Sequence, residues 1–166
     1  MIIKMKTGNP GFFMQEYADN WAQQALLEGN GGQMLKVENG ITIPTFSSKE
    51  SAEAYQLTAD MVKNKSAIHA SNDEGFQTFL NGKLGMVVTT IGKRENFESS
   101  ARFDLRGAKF PLFDGKERKL PAGGNMLMIM AKSPEEQKAA WRFMKFLLSA
   151  DSTEKWTKGT GYLPPT

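Results

Sequence analysis

The sequence contains no cysteine, and its 166 residues include a single histidine, His69. Without cysteine, disulfide bridges, thiol nucleophiles and thiolate metal sites are excluded. One histidine cannot build a histidine-rich metal site or a proton relay that passes through several imidazoles. His69 stands in a polar segment, 67–72, where a surface role is favoured over catalysis.

Enzyme motifs are also missing. The P-loop, Gly-x-Ser-x-Gly, His-Glu-x-x-His and Gly-x-Gly-x-x-Gly patterns do not occur. Glu135 and Glu136 form an adjacent carboxylate pair, but neighbouring helical residues point about 100° apart, so they suit the start of a helix instead. The sequence therefore predicts a protein that is not an enzyme and needs no cofactor or metal.

No apolar run reaches the roughly 18–20 residues that cross a membrane. Residues 1–6 alternate apolar and basic side chains, which predicts a strand rather than a signal peptide. The formal net charge is +3, and the densest basic run, 116–119, contains a glutamate and no aromatic residue. Because base stacking needs aromatic side chains among the cations, nucleic acid is not an expected partner.

What is present is an ordinary globular composition, with 40% hydrophobic and 23% charged residues. Apolar spacing, turn residues and capping boxes predict alternating elements. Helices are expected over 12–27, 47–64, 74–80, 93–102, from 133 onward and over 151–159, and strands over 1–6, 42–46, 84–90, 104–110 and 125–131. The run 84–90 is expected to be covered on both faces. The fold class is therefore α/β, a small mixed sheet flanked by helices.

One predicted loop joins a strand directly to a helix at Thr89-Thr90-Ile91-Gly92. The Thr90 hydroxyl and the N–H groups of the helix start can hold an oxygen-rich or anionic solute, and Lys93 and Arg94 would favour an anion if they face inward. The alternative is an ordinary N-cap followed by two solvated cations.

Two further loops are candidates for ligand contact. Gly123 and Gly124, followed by Asn125, would let backbone amides approach a ligand closely, although a plain turn is the alternative. Tyr162, between Gly161 and Leu163, could stack on a sugar or donate its hydroxyl. For Tyr162 the alternative is a ring packed on the core.

Five segments together resemble the second lobe of extracellular solute-binding proteins that serve ABC importers, in the maltose and glycerol-phosphate branch. The segments are Phe79–Met86, Phe103–Leu112, Gly123–Asn125, Ala140–Leu147 and Trp156–Pro164. They are similar to the family's F-x-x-G-K-x-A/G-M, F-D-x-G-x-x-P-L-P, glycine-loop, A-W-x-F-x-K-F-L and W-x-x-x-T-G-Y-L-P patterns, in order and in spacing. The resemblance covers nearly the whole chain.

The resemblance implies a periplasmic-binding-protein-like fold in which two α/β lobes on a hinge close over a solute and deliver it to ABC permease subunits. Residues 1–166 would be one lobe, and a signal peptide and N-terminal lobe of the same protein would precede Met1. The location would be extracellular or periplasmic, with a possible lipid anchor. The predicted ligand-binding residues are Phe12, Thr90, Gly123, Gly124, Asn125 and Tyr162.

Two departures from the family pattern leave the solute open. Ile91 stands where sugar binders often carry Trp and glycerol-phosphate binders Ser, and Phe12 stands where relatives carry a ligand-stacking Trp. The expected solute is a sugar, a polyol or a glycerol-phosphate-like molecule. Two other functions stay as alternatives, namely a small hydrolase that uses carboxylates and a metal, and a stand-alone interaction module.

Overall fold

A computed structural model of the protein describes residues 8–15, 20–124 and 126–164. The elements are β1 (Phe12–Met14), α1 (Asn20–Gly29), β2 (Leu35–Glu38), β3 (Ile41–Pro44), α2 (Lys49–Lys63), α3 (Asn72–Leu80), β4 (Met86–Val88), a 3-10 turn (Ile91–Lys93), α4 (Arg94–Ser100), α5 (Pro134–Leu147) and α6 (Ala150–Thr160). The chain divides into two compact units. Unit 1 comprises Met1–Thr89 and Ser100–Pro121, and unit 2 comprises Thr90–Ser99 and Ala122–Thr166.

The α/β fold class is confirmed, with both parallel and antiparallel strand pairs in unit 1. β1 pairs with β4 in parallel, Phe13 opposite Val87, and an isolated parallel bridge joins Phe12 to Ala67. Beyond the strands, the Gln15 N–H donates to the Val88 carbonyl at 3.1 Å. Parallel strands need a crossover connection, which α1, the β2–β3 hairpin, α2 and α3 supply here.

Unit 1 has helices against both faces of β1. Because successive side chains in a strand point to opposite faces, Phe13 and Met14 reach different layers. Phe13 is fully buried and meets Phe76 of α3 edge-to-face. On the other face a cluster joins β1, α1 and α2 through Met14, Ala22, Leu26, Leu27 and Ala54.

The antiparallel pair is a hairpin, with β2 and β3 joined at Asn39-Gly40. Both turn residues have positive φ, 51° and 78°, which is the geometry that Asn-Gly favours in two-residue hairpins. The predicted extended piece 42–46 corresponds to β3, and β2 was not predicted. Leu35, Val37 and Ile41 are more than half exposed.

Serine hydroxyls begin four of the helices. Each accepts a hydrogen bond from the N–H three residues later, at 3.2 or 3.3 Å, and the capping residues are Ser48, Ser71, Ser133 and Ser149. The cap predicted at Ser133 is confirmed. The other predicted caps are displaced, since Ser48 rather than Ser47 caps α2, and Ser149 rather than Asp151 caps α6.

Several predicted elements are wrong in extent or type. The helix expected from Phe12 is a strand at 12–14, and α1 begins at Asn20, because Phe12 and Phe13 pair with β4. The strand at 84–90 shortens to β4, and Met86 is 38% exposed, so it is not covered on both faces. The predicted strand at 1–6 lies outside the described residues.

Two further strands were predicted where the described chain has no regular structure, at 104–110 and 126–131. In the first, Arg106 donates to the Asp104 carboxylate at 2.7 and 2.9 Å, and both side chains are exposed. Gly107 follows, and glycine weakens a strand because it has no side chain to pack. Asn125, the predicted start of the second strand, lies outside the described residues.

Unit 2 contains α4, α5 and α6. Phe97 of α4 is buried, whereas the described residues of α5 and α6 are all at least partly exposed. Large apolar side chains that are more than half exposed include Trp141, Phe143, Phe146 and Trp156.

Candidate functional site

Thr90 begins the 3-10 turn that leads from β4 toward α4. Its backbone is extended, with φ −77° and ψ 150°, and its hydroxyl oxygen accepts from the Gly92 N–H at 3.3 Å. The alternative of an N-cap therefore describes the Thr90 hydroxyl correctly. The residue is nevertheless exposed, and a hydroxyl that accepts one bond keeps its own O–H to donate.

Tyr162 lies against this turn. An alanine Cβ at Gly92 would be 2.5 Å from the Tyr162 hydroxyl oxygen and 3.0 Å from Cζ. Tyr162 is 47% exposed, which contradicts the alternative of a ring buried beneath α6. The structure thus places Tyr162 against Gly92, the residue whose N–H bonds the Thr90 hydroxyl, within unit 2.

The backbone before Tyr162 is fixed by the end of α6. Gly161 takes the left-handed conformation, with φ 74°, and its N–H donates to the Thr157 carbonyl at 3.0 Å. The Tyr162 N–H donates to the Thr160 hydroxyl oxygen at 3.3 Å. Because glycine adopts positive φ without strain, the chain can reverse here and present Tyr162 from a defined backbone.

Arg94, one of the two cations expected to favour an anion, forms an ion pair on the surface of α4. Arg94 donates from Nε to the Glu98 carboxylate at 2.7 Å, one helical turn away. This ion pair occupies part of the guanidinium and offsets its charge. Lys93 is exposed and belongs to the 3-10 turn.

The Gly123-Gly124 loop also belongs to unit 2, and both glycines are exposed. At Gly124 a Cβ would meet no described atom within 4 Å beyond its chain neighbours. The backbone is therefore accessible, as ligand contact requires. Asn125 lies outside the described residues, and the ligand role of all three stays a prediction.

Phe12 belongs to unit 1. It is partly buried, packs against the cluster of Met14 and its neighbours, and its carbonyl accepts from the Ile68 N–H at 3.0 Å. Those contacts give Phe12 a structural role, and its predicted role in ligand binding stays a prediction. The nearby Thr89 hydroxyl donates to Gln15 Oε1 at 2.6 Å, and this hydrogen bond was not predicted from the sequence.

The position of Gly92 against Tyr162 was not predicted either. Its position after Thr90, at a junction between strand and helix, was the available indication, but its partner Tyr162 is 70 positions later in the chain.

In the described part of the chain, no group of three or more His, Asp or Glu residues could hold a metal ion. No helix among the described residues is long and apolar enough to span a membrane.

Residues 2–166 match the family of bacterial extracellular solute-binding proteins. The chain is 24% identical over 140 residues to the sn-glycerol-3-phosphate-binding periplasmic protein UgpB of Rhizobium meliloti (strain 1021), a match that covers 83% of this chain and 31% of the relative. This chain thus spans about a third of that relative's length.

Two solved structures show the same fold. The cyclic alpha-maltosyl-1,6-maltose binding protein from Arthrobacter globiformis is 26% identical, with a TM-score of 0.76 over 96% of this chain and 41% of that one. UgpB from Mycobacterium tuberculosis, in complex with glycerophosphocholine, is 21% identical, with a TM-score of 0.69 over 94% of this chain and 40% of that one.

These matches identify the class as solute-binding proteins rather than enzymes. The chain belongs to the bacterial extracellular solute-binding protein family, with a periplasmic-binding-protein-like fold. The family assigned from the five sequence segments is confirmed, and the hydrolase and interaction-module alternatives are not favoured.

Proposed function

We propose that residues 1–166 act as one ligand-binding lobe of the solute-binding component of an ABC importer. The solute would be a sugar, a polyol or a glycerol-phosphate-like molecule, held between this lobe and an N-terminal lobe of the same protein. Binding would favour the closed state through contacts that the open state lacks. The loaded protein would then deliver its solute to the permease subunits.

One observation carries the proposal beyond family membership, namely the placement of Tyr162 on the Thr90 turn. A half-exposed aromatic ring supplies a flat apolar face for a sugar or polyol, and its hydroxyl can bond a solute oxygen. Thr90 is exposed two residues before Gly92, which the Tyr162 ring contacts. Gly123 and Gly124 would add backbone amides, while Phe12 and Asn125 are proposed as further contacts.

The class of solute rests on this chemistry and on the named relatives. Those proteins are binders of a maltose-derived sugar, of sn-glycerol 3-phosphate and of glycerophosphocholine. All three ligands are rich in oxygen, which suits hydroxyl and amide donors.

Calorimetry on the full-length protein tests the proposal. The panel is maltose, glycerol, sn-glycerol 3-phosphate and glycerophosphocholine, and we expect at least one to bind. Tyr162→Ala should weaken that binding, whereas Tyr55→Ala, which changes a tyrosine of unit 1, should not. If no panel member binds, the proposed solute class is wrong. If Tyr162→Ala binds the solute as tightly as the parent protein does, the proposed site is wrong.

The isolated 166-residue chain provides a second measurement. A clamp takes contacts from two lobes, so one lobe should bind the same solute only weakly. Equal affinity of the isolated chain and the full-length protein would contradict the two-lobe proposal.

Delivery and location can be tested in cells. Deleting the gene should abolish uptake of the bound solute, and restoring it should recover uptake only when the permease is present. Fractionation should place the protein outside the cytoplasmic membrane. Release of the protein by detergent, rather than by salt washing, would indicate a lipid anchor.

A further inference from the structure

We propose that Gly92 is a positioning residue, whose missing side chain lets Tyr162 lie against the Thr90 turn and present its ring to the solute. This inference rests on the proposed function only in assuming that the Tyr162 ring contacts a bound solute. The contact between Gly92 and Tyr162 can be tested without any ligand.

The first step is steric. A Cβ atom added at Gly92 would lie 2.5 Å from the Tyr162 hydroxyl oxygen, and real Cβ atoms do not come that close to other heavy atoms. The Cζ and Cε2 atoms of the ring, at 3.0 and 3.4 Å, are also close. Any side chain at position 92 must therefore move the hydroxyl end of the ring.

The second step is that hydrogen bonds hold the backbone of Tyr162 at the end of α6, from the Gly161 N–H to the Thr157 carbonyl and from the Tyr162 N–H to the Thr160 hydroxyl oxygen. At Gly161 a Cβ would lie 3.4 Å from Arg94 Cβ and 3.6 Å from its Cδ, which is ordinary van der Waals distance, so the Gly161 backbone lies beside the Arg94 side chain. Arg94 is itself held by Glu98. Because the Tyr162 ring is half exposed and its backbone is hydrogen-bonded, a group added at Gly92 should turn the Tyr162 side chain rather than shift the segment.

The third step links the two glycines to the site. Gly161 provides the left-handed turn that ends α6, and Gly92 provides the space that receives the ring after this turn. The Gly92 N–H also donates to the Thr90 hydroxyl. Gly92 thus contacts both side chains of the proposed site without offering a side chain of its own to the solute.

A tyrosine-specific spectrum tests this placement directly. Full-length protein labelled with 3-fluorotyrosine is examined by 19F NMR, and the Tyr162 resonance is assigned by its loss in Tyr162→Phe. Gly92→Ala should shift that resonance. The matched control is Gly159→Ala on α6, where a Cβ would meet no described atom within 4 Å beyond its local helix and chain neighbours. An unchanged Tyr162 resonance in Gly92→Ala overturns the inference.

If Gly92→Ala fails to fold, the double variant Gly92→Ala/Tyr162→Ala decides. Removing the ring removes the proposed clash, so the double variant should fold. Failure of the double variant as well would show that Gly92 is required for another reason, and the inference would be wrong.

Binding of the solute identified by calorimetry completes the test. Gly92→Ala should weaken binding by about tenfold, the scale of losing one aromatic contact, and should have no further effect in the Tyr162→Ala background. A shifted resonance with unchanged affinity would overturn the positioning role. If Tyr162→Ala itself leaves affinity unchanged, the proposed solute site fails while the Gly92 contact stands, so the two failures are distinguishable.

Discussion

The rings of Phe13 and Phe76 meet edge-to-face, with centroids 5.9 Å apart and planes inclined at 79°. Gly75 precedes Phe76 on α3, and a Cβ at Gly75 would overlap the Phe13 ring. Phe13 is fully buried, so its ring has little room to move aside. The fit of β1 against α3 therefore depends on a glycine within a helix.

Gly75→Ala should destabilise the protein even though alanine is the better helix former. The helix propensity gain is about 1 kcal/mol, whereas overpacking a buried contact costs roughly 1–3 kcal/mol. Urea denaturation should show a net loss of stability. Gly159→Ala, in a helix with space around the site, should be neutral or stabilising, and a stabilising Gly75→Ala would refute the packing argument.

Asn30→Ala should loosen the contact between the end of α1 and the start of α2. The Asn30 side chain is largely buried and donates to the Glu50 carbonyl at 2.8 Å. Losing this bond should lower the free energy of unfolding by about 1–2 kcal/mol. Asn96→Ala, on the exposed surface of α4, is the control, and an equal effect of both substitutions would argue against a specific role for Asn30.

Glu50 should make stability depend on pH. Its own backbone N–H, the Ser48 side chain and, more weakly, Lys116 and Lys49 hold the pKa of Glu50 below its ordinary value of 4.5, against the opposing effect of burial. A carboxyl whose pKa is lower in the folded state stabilises the fold above its unfolded pKa, and this stabilisation is lost as pH falls through the folded value.

Denaturation of the parent protein and of Glu50→Gln at pH 7, 4 and 3 checks this expectation. The parent should be the more stable at pH 7, and the difference should shrink as the pH falls. Lys116→Gln should reproduce a smaller part of the effect because it removes one of the weaker causes. A difference that is constant across these pH values would contradict the assignment.

The sequence predicted most reliably what is encoded locally. Helices α2, α3 and α5 follow from apolar spacing and nearby turn or cap residues, and Gly82 ends the α3 region with a positive φ of 71° as expected. The Asn39-Gly40 pair is an equally local signal for a hairpin, although the hairpin was not predicted. By contrast, Phe12 and Phe13 have spacing compatible with a helix, and only pairing with distant β4 makes them a strand.

The candidate site shows the same division. Tyr162 was predicted as a ligand-binding residue because Gly161 and Pro164 restrict the backbone around it and the segment resembles a family pattern. Its neighbour Gly92 could not be predicted, because a glycine's role here comes from a side chain 70 positions away. The ion pair of Arg94 with Glu98 is local by contrast, since the two residues are four positions apart on one helix, and their spacing was the available indication.

Tyr162→Ala and Tyr162→Phe together should reveal what Tyr162 contributes to binding. Tyr162→Ala removes the ring and the hydroxyl and should weaken solute binding by about 1–3 kcal/mol. Tyr162→Phe keeps the stacking face and should lose less if the ring dominates, or as much if the hydroxyl dominates. Because Tyr162 is 47% exposed, both variants should keep the parent's thermal unfolding midpoint within a few degrees.

Calorimetry on the full-length protein, with the panel solute that binds best, measures both variants. Trp156→Ala is the control, since Trp156 is an exposed aromatic residue of the same unit, on α6. Its removal should leave affinity unchanged if Tyr162 acts through its place on the Thr90 turn. Equal losses in Trp156→Ala and Tyr162→Ala would instead indicate a general effect of exposed aromatic residues in unit 2, and Tyr162 would lose its assigned role.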